Sequence, residues 1–274
     1  MSRRPRWWML AQALSFPWIQ KLLKQTQTSL LGKLSARISI PLLSGKNFHI
    51  TYLPINQEIA GPDNVLLPRS VLEEIIHSSA HRVIIKRCTC RDGNECRNHP
   101  VGLGCLMLGE GAREIDPAVG RHVDADEAIR HARECVDNGL IPFVGRFRAD
   151  NFLWGVRDRG KLLTVCFCCR CCCIIMNSVA YLPKISQDSI VKLKGFTLFT
   201  DHEKCVLCGA CVEECFVHAR QIANNTIVFD AAVCKGCGRC ITICPSRAIR
   251  AEADNIAEAL RDLSGRIEAR IDYR

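Results

Sequence analysis

The chain has 274 residues, room for two domains or for one domain with appendages, and its 48% hydrophobic and 6% aromatic content suits a globular protein. Its nineteen cysteines are not a disulfide framework: no Sec-type leader is expected, and runs such as Cys171-Cys172-Cys173 cannot pair internally without strain, so a reducing compartment is expected. The formal charge of +9 has no helix-turn-helix, finger or RNA-recognition pattern beside it, which argues against a nucleic-acid partner.

In chain order, residues 1–45 read as a basic amphipathic segment. Arg3, Arg4, Arg6, Lys21, Lys24, Lys33 and Arg37 precede the first acidic residue, Glu58, and Trp7, Trp8 and Trp18 lie among them. Its apolar runs fall short of the roughly 20 residues that span a bilayer. The pattern fits a helix docked on the protein body or one lying on a membrane surface. Ser2-Arg3-Arg4 faintly matches a twin-arginine signal, against which Pro5 and Arg6 speak.

Residues 46–190 read as a small cysteine-rich α/β domain. Residues 47–67 are expected to be extended, and Phe48 to Leu53 alternates. Arg69 to Ala80 is expected to be a helix with Val71, Leu72, Ile75 and Ile76 on one face, and Arg82 to Lys86 a strand. A second helix is expected after the cap Asp124, with Glu127 in the capping box and Gly139 as its stop. Pro142 to Val165 reads as two strands around Arg157-Asp158-Arg159-Gly160. The final segment, 252–274, reads as a helix from Asp254 to Ile267 that caps the preceding module or meets a partner. The fold class expected is α+β.

The sharpest motif is Cys205-x2-Cys208-x2-Cys211-x3-Cys215, repeated at a constant offset of 29 residues as Cys234-x2-Cys237-x2-Cys240-x3-Cys244-Pro245. Three thiolates on one tight loop converge on three irons of a [4Fe–4S] cube, and the fourth iron needs a thiolate from elsewhere. Zinc sites use paired half-sites with longer loops between them, which these runs do not match. Over about Gly195 to Ala251 the chain resembles the bacterial-type two-[4Fe–4S] ferredoxins. In such modules the fourth cysteine crosses over, which would assign Cys205, Cys208, Cys211 and Cys244 to cluster I and Cys234, Cys237, Cys240 and Cys215 to cluster II. Phe216 departs from the pattern, standing where the second copy has Pro245. With two clusters each contributing about −2, the loaded chain carries about +5.

Eleven more cysteines lie between 88 and 173. Cys135, on the second helix, reads as a buried apolar residue. The others follow expected strands, over Val83–Lys86 and Leu162–Val165, whose ends could be adjacent. Convergent soft thiols point to a further metal or cluster site. Cys88, Cys90, Cys96 and Cys169 lead as ligands, with Cys105, Cys168, Cys171 and Cys172 as alternatives, and a thiol–disulfide relay is the rival. His99 is a candidate ligand or proton donor, or simply a loop histidine.

The Cys88-Thr89-Cys90-Arg91 run, the segment Gly104 to Gly109 and the block Cys168 to Cys173 resemble the cysteine-rich part of a group of ferredoxin-like proteins of anaerobes. That resemblance implies an iron–sulfur protein and no particular reaction.

The expected function is electron transfer by two [4Fe–4S] clusters and a possible third cluster, with redox partner proteins. The alternatives are a redox enzyme acting at the N-terminal cysteines on a small substrate or disulfide, and a cluster carrier. The expected location is cytoplasmic, with possible membrane-surface contact.

Overall fold

The computed structural model describes residues 6–54, 59–60 and 67–274. Ser2, Arg3, Arg4, Pro5, Glu58 and most of the expected extended stretch after Pro54 lie outside the described residues. Helix α1 (Arg6–Lys24) and helix α2 (Leu30–Leu42) form the basic amphipathic segment, with Ser29 capping α2 through the Gly32 amide. Strand β1 (Phe48–Tyr52) follows, then the short β2 (Ile59–Ala60), helix α3 (Leu67–Ser78), strand β3 (Arg82–Ile85) and helix α4 (Thr89–Gly93). Val71, Leu72, Ile75 and Ile76 are all buried, as the helical periodicity requires.

Strands β4 (Leu106–Leu108) and β5 (Gly120–His122) precede helix α5 (Ala125–Asp137). Asp124 caps α5 by accepting from the Glu127 amide, and Gly139 leaves it at φ +79°. Between strand β6 (Ile141–Phe147) and strand β7 (Leu163–Cys168) the structure inserts helix α6 (Arg148–Trp154), where the sequence reading expected strand and turn alone. Two turns of helix are too short to show a period, and α6 owes its place to burial of Asp150, Asn151 and Trp154. Strand β7 also runs three residues beyond the expected Val165, because it pairs with β6 as far as Ile141↔Cys168.

These strands form one antiparallel sheet in the order β1-β6-β7-β4-β3-β5. Strands β3 and β7 are not neighbours; β4 lies between them and runs the opposite way. The exits of β3 and β7 and the start of β4 therefore share one end of the sheet, and the cysteines following β3, preceding β4 and closing β7 collect there.

Helices α7 (Ile174–Ser178) and α8 (Lys184–Gln187) lead to the ferredoxin-like part. It comprises β8 (Phe196–Thr200), α9 (Ala210–Glu213), the hairpin β9 (Arg220–Ala223) and β10 (Thr226–Phe229), α10 (Arg239–Thr242) and β11 (Ile249–Ala253). Strand β11 pairs antiparallel with β8 and parallel with β2, so a strand from before the cysteine-rich sheet completes the ferredoxin sheet. The last helix, α11 (Ile256–Glu268), lies on the six-stranded sheet: Leu263 and Ile267 face Val144 and Gly145, and Arg266 donates to Thr51 Oγ1 at 2.9 Å. A single apolar core joins Leu72, Val165, Phe196, Ala251 and Leu263 across both halves.

Candidate functional site: two cluster loops and two groups of N-terminal thiols

The two cluster loops repeat in backbone as well as in sequence. Left-handed residues recur at the 29-residue offset: Leu207 and Gly236, Gly209 and Gly238, His218 and Arg247. Asp201 accepts from the amides of Glu203 and Lys204, and Asp230 accepts likewise from Ala232 and Val233. Cys215 Sγ accepts from the Ala219 amide at 3.2 Å, and Cys244 Sγ from the Ala248 amide at 3.3 Å. Such N–H···S bonds favour thiolate over thiol and raise the potential of an iron–sulfur centre.

Cys205, Cys208, Cys211 and Cys244 line one small cavity together. The charges acting on Cys234, Cys237 and Cys240 include that of Cys215. Between the loops lies Arg220, 1% exposed, which the sequence reading did not single out. It donates to Thr200 Oγ1 at 2.7 Å, stacks 4.5 Å from the Phe229 ring centre, and leaves Nη2 without a partner. A buried cation with a spare donor suits a cavity meant for an anionic cluster, so the residues present fit two [4Fe–4S] groups.

The loops face different surroundings. Cys208 is exposed beside Val206, which is 65% exposed. Cys215 and Cys237 instead pack in an inner cluster with Phe216, Tyr52, Cys168 and Cys173. Phe216 is buried and meets the Tyr52 ring edge-on at 5.4 Å. The departure from proline is thus a docking contact against the N-terminal domain. Tyr52 is fully buried and its hydroxyl has no partner. Burial, then the neighbouring Cys168, Cys173, Cys237 and Cys166, hold this phenol well above its usual range, so it stays a hydrogen-bond donor.

The eight N-terminal candidates separate into two groups. Cys96, Cys169, Cys171 and Cys172 have sulfurs all within 4.8 Å of one another, open to solvent at Cys171. A tetrahedral thiolate site around one ion has sulfurs about 3.8 Å apart at zinc–sulfur distances of about 2.3 Å. Burial, followed by Cys169, pushes the Cys171 thiol up to about 12, whereas, against burial, hydrogen bonds from Cys172 and the Asn98 and His99 amides lower that of Cys96. Only Cys96 and Cys169 of the leading four belong here. Cys88 and Cys90 belong with Cys105 and Cys168 in a second group, which also takes in Cys166 and Cys173, neither of them an expected ligand, and which Cys169 adjoins from the first group.

The second group lines a cavity of about 740 Å³ walled by Phe16, Ile19 and Leu23 of α1, Leu42 of α2 and the neighbouring Leu43. Cys173 and Cys168 sulfurs are 3.1 Å apart, and those of Cys105 and Cys166 2.9 Å. Neighbouring sulfurs and burial push the thiols of Cys88, Cys90, Cys166 and Cys173 well up. Asp150, which accepts from Thr164 at 2.7 Å, also lines this cavity, and burial raises its carboxyl to about 7.

Arg91 stands between the groups, 1% exposed, donating to the carbonyls of Pro100, Phe167 and Leu103. Cys88, Cys105 and Cys169 are its sulfur neighbours. Its place directly after Cys90 was legible; its burial was not. Cys135 is fully buried in the core, as expected, and the His99 ring bonds Asn138 at 2.8 Å while its backbone amide donates to Cys96.

Residues 198–221 and 226–249 each match the 4Fe-4S binding domain family. The chain is 33% identical over 60 residues to an indolepyruvate oxidoreductase subunit of Methanothermobacter thermautotrophicus, covering 22% of this chain and 10% of that protein. It is also 33% identical over 63 residues to putative formate dehydrogenases of Staphylococcus haemolyticus and Staphylococcus aureus, covering 18% of this chain and 6% of theirs. The chain thus spans a tenth or less of these relatives. No solved structure matches it. Two adjacent 4Fe-4S domains on repeated loops define a two-cluster ferredoxin-like module, an iron–sulfur electron-transfer unit for two [4Fe–4S] clusters within residues 198–249.

Proposed function

We propose that the chain relays electrons from a docked redox protein, through its ferredoxin-like module, to thiolate-bound centres in its N-terminal domain. One observation carries this reading: the Cys215 and Cys237 side of the module packs against Tyr52, Cys168 and Cys173, while the Cys208 side faces solvent. Each cluster supplies reversible one-electron chemistry when bound. The partner docks where Cys208 and Val206 are exposed.

The ligand sets are Cys205, Cys208, Cys211 and Cys244 for cluster I, and Cys234, Cys237, Cys240 and Cys215 for cluster II. The shared cavity of the first set supports this crossing. Cys244→Ala, although in the second motif, is expected to remove the cluster I signal in low-temperature EPR and leave that of cluster II. Loss of cluster II alone would refute the crossing. Cys96, Cys169, Cys171 and Cys172 hold a third centre, and their short mutual distances support it.

A second reading, a redox enzyme, is favoured by the 740 Å³ cavity beside Cys88 and Cys105, a size typical of small-molecule sites. Nineteen cysteines, eight of them at cluster spacing, suit a reducing compartment such as the cytoplasm.

Helices α1 and α2 also make contact with a membrane surface. Among the described residues no helix is long and apolar enough to cross a membrane. Yet Trp7, Leu10, Leu14 and Trp18 form an exposed stripe on α1, and Leu30, Leu34 and Ile38 form another on α2. Lys21, Lys33 and Arg37 are exposed near them. Apolar stripes flanked by cations and tryptophans suit an anionic bilayer surface.

A further inference from the structure

We propose that the inner cavity is a metal site of its own: a polynuclear iron–sulfur centre bound by Cys88, Cys90, Cys105, Cys166, Cys168 and Cys173, separate from the Cys96 group. The proposal does not depend on that group being loaded.

The number of thiols is the first argument. Four thiolates saturate one tetrahedral ion or one cube, and seven cysteines line this one void, six of them outside the Cys96 group and the seventh, Cys169, shared with it. The six are linked in two sets. Cys88 bonds Cys90, Cys90 bonds Cys173, and Cys173 meets Cys168 at 3.1 Å. Cys105 and Cys166 form the other set at 2.9 Å. The topology explains the convergence: Cys166 and Cys168 alternate onto one face of β7, and Cys105 precedes β4, its neighbour. Cys88 and Cys90 flank the start of α4, and Cys173 caps α7.

The size and lining of the void are the second argument. A dithiol relay needs sulfurs in contact and no volume beside them. Here about 740 Å³ stands beside the sulfurs, walled on one side by apolar side chains of α1 and α2. Seven crowded, soft cysteines outnumber the two carboxylates of the lining, Asp150 and Asp158, and select thiophilic iron–sulfur chemistry over hard ions.

Charge and hydrogen bonding are the third. Buried Arg91 offsets the negative charge that six thiolates bring. The amide of Ile174 donates to Cys90, and that of Met176 to Cys173. Tyr52 has a fully buried hydroxyl without a partner, and its sulfur neighbours are Cys166, Cys168 and Cys173 on one side and Cys237 of the ferredoxin-like module on the other. The same placement gives the centre its reductant: one electron leaves cluster II and enters the cavity centre.

The test uses the full chain prepared anaerobically, with iron, acid-labile sulfide and zinc counted per chain and Mössbauer spectra recorded. Two variants are compared, Cys90→Ser/Cys168→Ser and Cys96→Ser/Cys171→Ser, with the EPR signals of clusters I and II as the check on folding. The wild type is expected to exceed by roughly four or more the about eight irons of the ferredoxin-like module. The first variant is expected to lose that excess with its sulfide and keep any metal of the Cys96 group. The second is expected to keep the excess, whatever happens to the Cys96 group. In the wild type, Cys90, Cys168 and Cys173 are expected to resist alkylation until iron is chelated, a readout that holds even where a variant does not fold. About eight irons in the wild type, an excess untouched by Cys90→Ser/Cys168→Ser, zinc without sulfide in the cavity, or alkylation that chelation does not change would each overturn the proposal.

Discussion

At the scale of single residues, the informative side chains are the buried polar ones that no loop motif announces. Arg220 lies among sulfurs of both loops, near Cys211 on one side and Cys234 and Cys240 on the other. A buried positive charge stabilises the reduced, more negative state of each cluster. Arg220→Leu is therefore expected to shift both midpoint potentials downward, on the order of tens of millivolts, with iron content unchanged. Protein-film voltammetry beside an iron assay checks this, and unchanged potentials would reduce Arg220 to a packing residue. The 29-residue repeat cannot reveal this role, since the repeat places Ile249 opposite Arg220. Phe216 was visible in the sequence only as a missing proline; its meaning depends on Tyr52, 164 residues earlier in the chain.

At the scale of elements, α1 and α4 approach so closely that Gly93 has no room for a side chain: an added Cβ would sit 2.4 Å from the Ala13 carbonyl oxygen. Since that oxygen is backbone, relief requires α1 to move off the thiol loop. Gly93→Ala is expected to cost about 1–3 kcal/mol, the usual penalty of overpacking. A lower Tm together with faster alkylation of Cys88 and Cys90 would be the signature. Trp8 Nε1 and Gln12 Nε2, both donating to the Leu153 carbonyl, hold α1 on the far end of α6. Long elements with full periods, α3 and α5, were legible because one face is buried by simple periodicity. The seven-residue α6 was not, because it is made by tertiary burial of Asp150, Asn151 and Trp154.

The exposed stripes of α1 and α2 also act at this scale. Trp18→Glu with Leu14→Glu is expected to abolish flotation of the protein with vesicles of anionic lipid and to leave cluster content unaltered. Wild-type flotation should weaken as salt rises, because Lys21, Lys33 and Arg37 contribute electrostatically. Wild-type protein that stays with the aqueous phase at low salt would remove the membrane assignment.

At the scale of the whole molecule, segments from the two ends of the chain pack on parts distant in sequence. Helices α1 and α2 wall the thiol cavity, β2 completes the ferredoxin sheet, and α11 lies on the sheet of the N-terminal domain. A segment serving only to dock would be dispensable for metal binding. As a cavity wall it is not, and removal of residues 1–43 is expected to expose Cys90, Cys168 and Cys173 to alkylation and to lose only the iron in excess of the ferredoxin-like module. The EPR signals of clusters I and II should persist, because the loops that hold Cys205 to Cys244 make their own backbone bonds.

The sequence by itself determined the two cluster loops, since cysteine spacing fixes which sulfurs can converge on one cube and left-handed turns recur wherever that spacing does. It also determined the amphipathic helices and the α+β class, through periods long enough to read. The tertiary structure alone decided how the N-terminal cysteines divide. Cys168 and Cys169 are adjacent in sequence and both line the cavity, yet only Cys169 also joins the Cys96 group. Spacing along a chain cannot express that division, because it depends on β4 passing between β3 and β7 and on the buried Arg91 beyond them.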